Sequence, residues 1–192
     1  MVDMALGKLG SQDLIFKRKF RWTFKVQETC DGKKDIPECY VKVAARPSLT
    51  VEETEINFLN SKGWLPGKAA WETITVTYYD VGGKGDEVDS EGIANLWGWL
   101  ATIYNFSKGT KSEQGANRKN YAGKGVLTLY DGCGKGIEEW TLEDMWPQAI
   151  NFGELDYSSS EECTIELTLR YSKVQYDNQC GNKIAPCECA GC

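Results

Sequence analysis

Three stretches of this 192-residue chain place an apolar side chain at every second position. That period admits little besides half-buried β-strands, because successive strand side chains point to opposite faces. In the first, Leu14, Phe16, Phe20, Trp22, Phe24 and Val26 alternate with Lys17, Lys19, Arg21, Thr23, Lys25 and Gln27, interrupted only by Arg18. In the second, within Trp71 to Asp80, Ile74, Val76 and Tyr78 oppose Thr73, Thr75, Thr77 and Tyr79, and Gly82-Gly83-Lys84-Gly85 supplies a stop. In the third, from Thr164 to Tyr171, Ile165, Leu167, Leu169 and Tyr171 oppose Thr164, Glu166, Thr168 and Arg170, with Tyr176 as an outer limit.

Weaker strand signals fill in around these. Cys39 to Ala45 alternates in the same way, and the Asp31-Gly32-Lys33-Lys34-Asp35-Ile36-Pro37 turn chemistry before it predicts a hairpin with the first strand. Val126 to Asp131 and Ile137 to about Met145 are two further strands, joined by Gly132-Cys133-Gly134-Lys135-Gly136. One helix is expected over about 90–105. Asp89 or Ser90 is its cap, and Ile93, Leu96, Trp97, Leu100, Ile103 and Tyr104 recur at three- and four-residue spacing. Lys108 to Lys119 is polar and reads as a loop. Between about 46 and 70, Pro47, Gly63, Pro66 and Gly67 break up short apolar pieces, which predicts a long loop of the kind that serves as an interface. The sum is a mainly β chain: an antiparallel β-sandwich or barrel with one packed α-helix. Residues 1–177 form the domain and 178–192 a cysteine-rich extension.

Composition narrows the function classes. Histidine is absent, which removes His-based nucleophile pairs, His-ligated metals and the commonest neutral-pH base. No catalytic residue and no cofactor site is assigned, and an enzyme is not expected. The net charge of -6 argues against a phosphate-neutralising nucleic-acid binder. No apolar run approaches the about 20 residues of a membrane helix. The first residues, Met1 to Gly7, carry no secretory pattern, so synthesis in a cytoplasm is expected.

The glycine clusters at 82–85 and 132–136 invite a phosphate-loop reading, but neither has the full spacing, and a strand rather than a helix follows the second. Turns are the reading. Of the seven tryptophans, Trp22 and Trp97 fall at periodic core positions; Trp64, beside Leu65 and Pro66, is either an interface anchor or locally packed. The cysteines, at 30, 39, 133, 163, 180, 187, 189 and 192, leave three readings open. Cys180, Cys187, Cys189 and Cys192 offer four thiolates to zinc, though only Cys189 and Cys192 have knuckle spacing. All eight are disulfide candidates if the protein leaves a reducing cytosol, with Cys30 and Cys39 placed to close the first turn and the C-terminal ones to link neighbours. Cys133 and Cys163 could also remain free in the core.

Several blocks in order carry a resemblance. Ala45-Arg46-Pro47-Ser48-Leu49, Glu52 to Asn60, Trp64-Leu65-Pro66-Gly67-Lys68 and Trp71 to Asp80 resemble the tail-tube proteins of contractile-tailed bacteriophages. So do Ile137 to Leu142, Trp146 to Gly153, Leu155-Asp156-Tyr157-Ser158-Ser159-Ser160 and the strand ending at Tyr171, which together cover most of residues 10–176. The resemblance implies a virion structural protein, six copies to a ring, with rings stacked as a hollow tube inside a contractile sheath. Self, the sheath, the baseplate and the tail terminator are the implied partners, and DNA passes the lumen unbound. In that frame Ile56, Phe58, Leu59, Trp64, Leu65 and Pro66 are expected at contacts between subunits. The alternative is the ring protein of a phage-like contractile secretion or injection machine; a cysteine-rich zinc adaptor is a third class. The cysteines and the segment from Asn178 to Cys192 depart from the family pattern and imply covalent reinforcement.

Overall fold

The computed structural model describes residues 16–27, 35–36, 38–81, 91–178 and 182–183. Strands dominate: β1 (Trp22–Gln27), β2 (Val41–Ala44), β3 (Leu49–Phe58), β4 (Ser61–Trp71), β5 (Ile74–Tyr79), β6 (Tyr104–Asn105), β7 (Thr110–Lys111), β8 (Gly123–Tyr130), β9 (Gly136–Asn151), β10 (Thr164–Arg170), β11 (Lys173–Asn178) and β12 (Asn182–Lys183). Among the described residues two α-helices accompany them, α1 (Glu91–Ile103) and the single turn α2 (Arg118–Tyr121). The mainly antiparallel β architecture with one substantial helix agrees with the sequence reading.

Eight strands run in the order β1-β8-β9-β10-β5-β2, with β11 and β12 branching from β9. β9 is the hinge of this arrangement. Its first part pairs with β8 and β11, and its last residues pair with β10, so one strand passes from one side of the core to the other. Two irregularities mark the passage. Asp144 has φ 56°, a left-handed conformation costly for a residue with a Cβ. Next, Pro147, which has no N–H to donate, sits where the β9–β10 register slips. On the β8 side, Gly125 leaves room for Met145: a Cβ there would stand 2.9 Å from the Met145 sulfur, and the methionine end would have to shift.

The alternation sets the core. Phe24 and Val26 of β1, Ile74, Val76 and Tyr78 of β5, and Ile165, Leu167 and Leu169 of β10 are buried, joined by Leu127, Leu142 and Met145. α1 closes one side through Leu96, Trp99 and Leu100. Trp99 is fully buried and its indole N–H donates to the Tyr121 carbonyl at 2.6 Å, tying α1 to α2.

Five expectations are corrected. The first strand begins at Trp22; Phe16 and Phe20 are exposed, outside any strand, and Leu14 lies outside the described residues. β1 and β2 do not form a hairpin: β1 pairs with β8 and β2 with β5, leaving Val26 and Ile36 as an isolated bridge. Each strand finds a longer partner that way, six register pairs for β1 against β8. The segment 46–70 contains a hairpin, β3–β4, rather than a loop. Trp97 is 39% exposed and Trp99 takes its place in the core, a shift of the helix face. Last, the strand ending near Tyr171 does not run on to Tyr176; β11 is a separate strand and pairs with β9. The cap candidates Asp89 and Ser90 lie outside the described residues.

Candidate assembly surfaces

The β3–β4 hairpin is the most unusual surface. Its paired strands bury no side chain along Leu49 to Ala70. At about 3.3 Å per residue its ten-residue arm is about 33 Å long. The turn places Leu59 at φ 51° and 90% exposed, and Ser61 Oγ donates to the Phe58 carbonyl at 2.9 Å. Register divides the candidate contact residues between faces. Thr54 pairs with Leu65, Ile56 with Gly63 and Phe58 with Ser61, so Ile56, Phe58 and Leu65 share one side. They line a shallow groove of about 290 Å³, and a side chain added at Gly63 would meet open space. Trp64 and Pro66 lie on the opposite side with Glu53, Glu55, Asn57 and Lys62, and Lys62 pairs with Glu55 at 2.7 Å. At the base Thr50 Oγ1 donates to Glu72 at 2.9 Å, and Gly67 is pressed against the Glu52 carbonyl where the register slips.

Two further surfaces escaped sequence reasoning. One is aromatic: Trp97 stacks on Phe152 with centroids 5.1 Å apart, and Phe106 meets Trp97 and Tyr104 edge-on. These residues come from α1, β6 and two loops, so no linear pattern joins them. The other is a cleft of about 400 Å³ where the β1 and β2 ends of the strand order approach each other. Lys17, Arg18, Lys19, Lys42 and Arg46 surround it, over a floor that includes Trp22, Leu127 and Leu129. The only linear hint is the basic run before Trp22.

Glu138 anchors that cleft. It is buried, and accepts from Lys17 Nζ, from Arg46 at 2.9 Å and from the Trp140 indole at 2.5 Å. Burial alone would raise its pKa. The hydrogen bonds from Lys17 and Trp140 and the Arg46 charge outweigh burial and hold the carboxyl below its ordinary value.

The cysteines do not converge among the described residues. Cys39, Cys133 and Cys163 are free and exposed, which corrects the core reading for the last two. Cys30, Cys180, Cys187, Cys189 and Cys192 lie outside the described residues, and with them the zinc reading and the Cys30–Cys39 pair. No metal-ligating cluster occurs among the described residues. The Cys133 turn is no phosphate loop: Asp131 Oδ1 accepts from the amides of Cys133 and Lys135, each at 2.8 Å, and Gly134 takes φ 82°. The 82–85 glycines are outside the described residues. No described helix is long and apolar enough to cross a membrane.

No protein-family model matches the sequence, and no curated protein matches it. Solved structures do. A chain of the PVC sheath-tube complex, from an extracellular contractile injection system in its extended state, superposes with TM-score 0.60 at 16% identity, over 90% of this chain and 97% of that one. A chain of the sheath/tube terminator of such a system gives 0.63 at 14%, over 87% and 99%. A chain of the tube-terminating cap of the anti-feeding prophage gives 0.61 at 14%, over 93% and 99%. The fold is therefore shared along nearly the whole length with chains of contractile injection machines.

Proposed function

We propose that this chain is a structural subunit of a phage tail tube, six copies closing into a ring and rings stacking into a hollow conduit within a contractile sheath. The observation that carries the reading is the β3–β4 hairpin, an extended arm with an apolar face left exposed along both of its strands. A two-stranded hairpin is marginal alone in water, so its order calls for a neighbouring copy. Ile56, Phe58 and Leu65 would lie on that neighbour, with Leu59 at the tip, while Trp64 and Pro66 offer a second face to an adjacent ring. The likeness to a chain of a sheath-tube complex supports the same reading.

Sheath, baseplate and tail-terminator proteins are the partners proposed, and the tail of the virion the location. The charge of -6 suits a conduit for DNA, since a wall that repels phosphates avoids the counterion release that would hold the cargo. The role asks no catalysis of the chain. Disulfides among the eight cysteines would reinforce the tube outside the cell, and exposed Cys39, Cys133 and Cys163 are open to that chemistry. A second reading, the tube of a phage-like injection device carrying another cargo, is favoured by the nature of the superposing assemblies.

Electron microscopy of the purified protein, with and without reductant, is the test. Six-fold rings or stacked tubes are expected, with reductant loosening them. A protein that stays monomeric at high concentration, in either condition and with sheath protein added, contradicts the reading.

A further inference from the structure

We propose that the basic cleft between β1 and β2 receives the acidic loop 152–163 of a second copy of this chain, making a head-to-tail contact distinct from the hairpin. The inference deepens the tube reading and rests on self-assembly. Among the described residues around the cleft, five cations stand against one buried carboxylate, Glu138, a surplus of positive charge in a chain that is acidic overall. Arg18 and Lys19 have no ion pair among the described residues, and Lys42 lies over the Tyr79 ring. The loop carries Glu154, Asp156, Glu161 and Glu162, none with a salt bridge among the described residues. It also holds out two large apolar side chains, Leu155 at 87% exposure and Tyr157 fully exposed.

The two surfaces complement each other in kind. Cations rim a floor that includes Trp22, Val43 and Leu129, and carboxylates flank the projecting Leu155 and Tyr157. Charge around an apolar centre gives both register and a buried anchor. Internal bonds hold the loop in shape for this: Asp156 accepts from the Ser158 amide at 2.9 Å and from its hydroxyl at 2.7 Å.

The cleft lies at the two ends of the strand order, while the loop joins β9 to β10 within it. In its own chain the far end of the loop is close to the cleft's Lys42, since Thr164 pairs with Tyr79 and Lys42 lies over the Tyr79 ring, yet Leu155 and Tyr157 stay exposed and do not fill the cleft. Two different patches of one chain make a heterologous contact with the next copy, which repeats from copy to copy and closes into a ring when the rotation allows. The hairpin carries acids too, Glu52, Glu53 and Glu55, but Glu55 is already paired with Lys62.

The test mixes isotope-labelled and unlabelled full-length chains, joins adjacent amines and carboxylates with a zero-length cross-linker, and maps the joints by mass spectrometry. Joints between labelled and unlabelled copies are expected from Lys19 or Lys42 to Glu154, Asp156, Glu161 or Glu162. Reversing the cleft (Arg18→Glu with Lys19→Glu) or the loop (Glu154→Lys with Glu161→Lys) should each weaken association about a hundred-fold. Both reversals in one chain should bring it back to within about ten-fold of the original, a rescue that disruption of folding would not produce. Cleft-to-loop joints without rings would keep the inference and contradict the tube reading. Rings whose joints fall elsewhere, to Glu52 or Glu53 for instance, with both reversals harmless, would overturn the inference and leave the tube reading standing. The absence of any joint between copies overturns the inference.

Discussion

The strands of the body and the strands of the hairpin are alike along the backbone and differ in what they bury. In the body, Ile165 faces Tyr78, Leu167 faces Val76 and Leu169 faces Ile74 across the β10–β5 pair, all of them buried. In the hairpin, the register of β3 and β4 is equally continuous past its one slip, yet Ile56, Phe58 and Leu65 gather on a face that stays exposed. Hydrogen bonding is common to both; removal of apolar surface from water belongs to the body alone. On the proposed reading the body buries its own apolar faces, and the hairpin finds its partner in another molecule.

Substitutions can break or sharpen that contrast, here ordered by their effect on the isolated chain. Leu167→Ala, at the centre of β10, should cost about 3 kcal/mol in denaturant unfolding, through lost transfer energy and a cavity. Glu138→Gln should cost about 2 kcal/mol, because Lys17 and Arg46 lose their shared carboxylate, with exposure of both cations moderating the loss. Its pH dependence has a definite sign. The folded-state pKa is depressed, so this stabilisation is complete above the ordinary value of 4.5 and fades as pH falls through the lower folded value. Acid titration of stability should therefore lose this component in Glu138→Gln. Tyr78→Phe should gain about 1 kcal/mol, since the buried hydroxyl has no hydrogen-bond partner among the described residues. Phe58→Ser removes a larger side chain than Leu167→Ala, yet should shift monomer stability by less than about 0.5 kcal/mol while reducing ring formation in sedimentation. A large destabilisation of the monomer by Phe58→Ser would erase the contrast.

The body was legible from the sequence because alternation and burial coincide there. β1, β5 and β10 announce both their period and their inward face, and those faces are the core. The hairpin was not. Gly63, Pro66 and Gly67 read as loop punctuation, and an arm with no buried side has no reason to keep a clean period; pairing of β3 with β4 supplied what composition hid. The helix was found but misphased. Trp97 and Trp99 stand two apart, and which one turns inward depends on the Tyr121 carbonyl that accepts from the Trp99 indole, a contact across α2. The partners of β1 and β2 were missed for a similar reason: sequence proximity favoured a hairpin, and the longer ladders of β8 and β5 outweighed it. Of the candidate contact residues, the sequence marked the segment and the register divided it into faces. The cleft needed the fold, because Lys17 and Arg46 become neighbours only through Glu138.

The most direct measurement is hydrogen exchange of the backbone amides of residues 49–71 in the isolated chain and in assembled tubes. In the monomer these amides should exchange many times faster than those of β10, and in the tube their protection should approach that of β10. A hairpin already as protected as β10 in the monomer, or one left unprotected in the tube, would contradict the claim that neighbouring copies complete it.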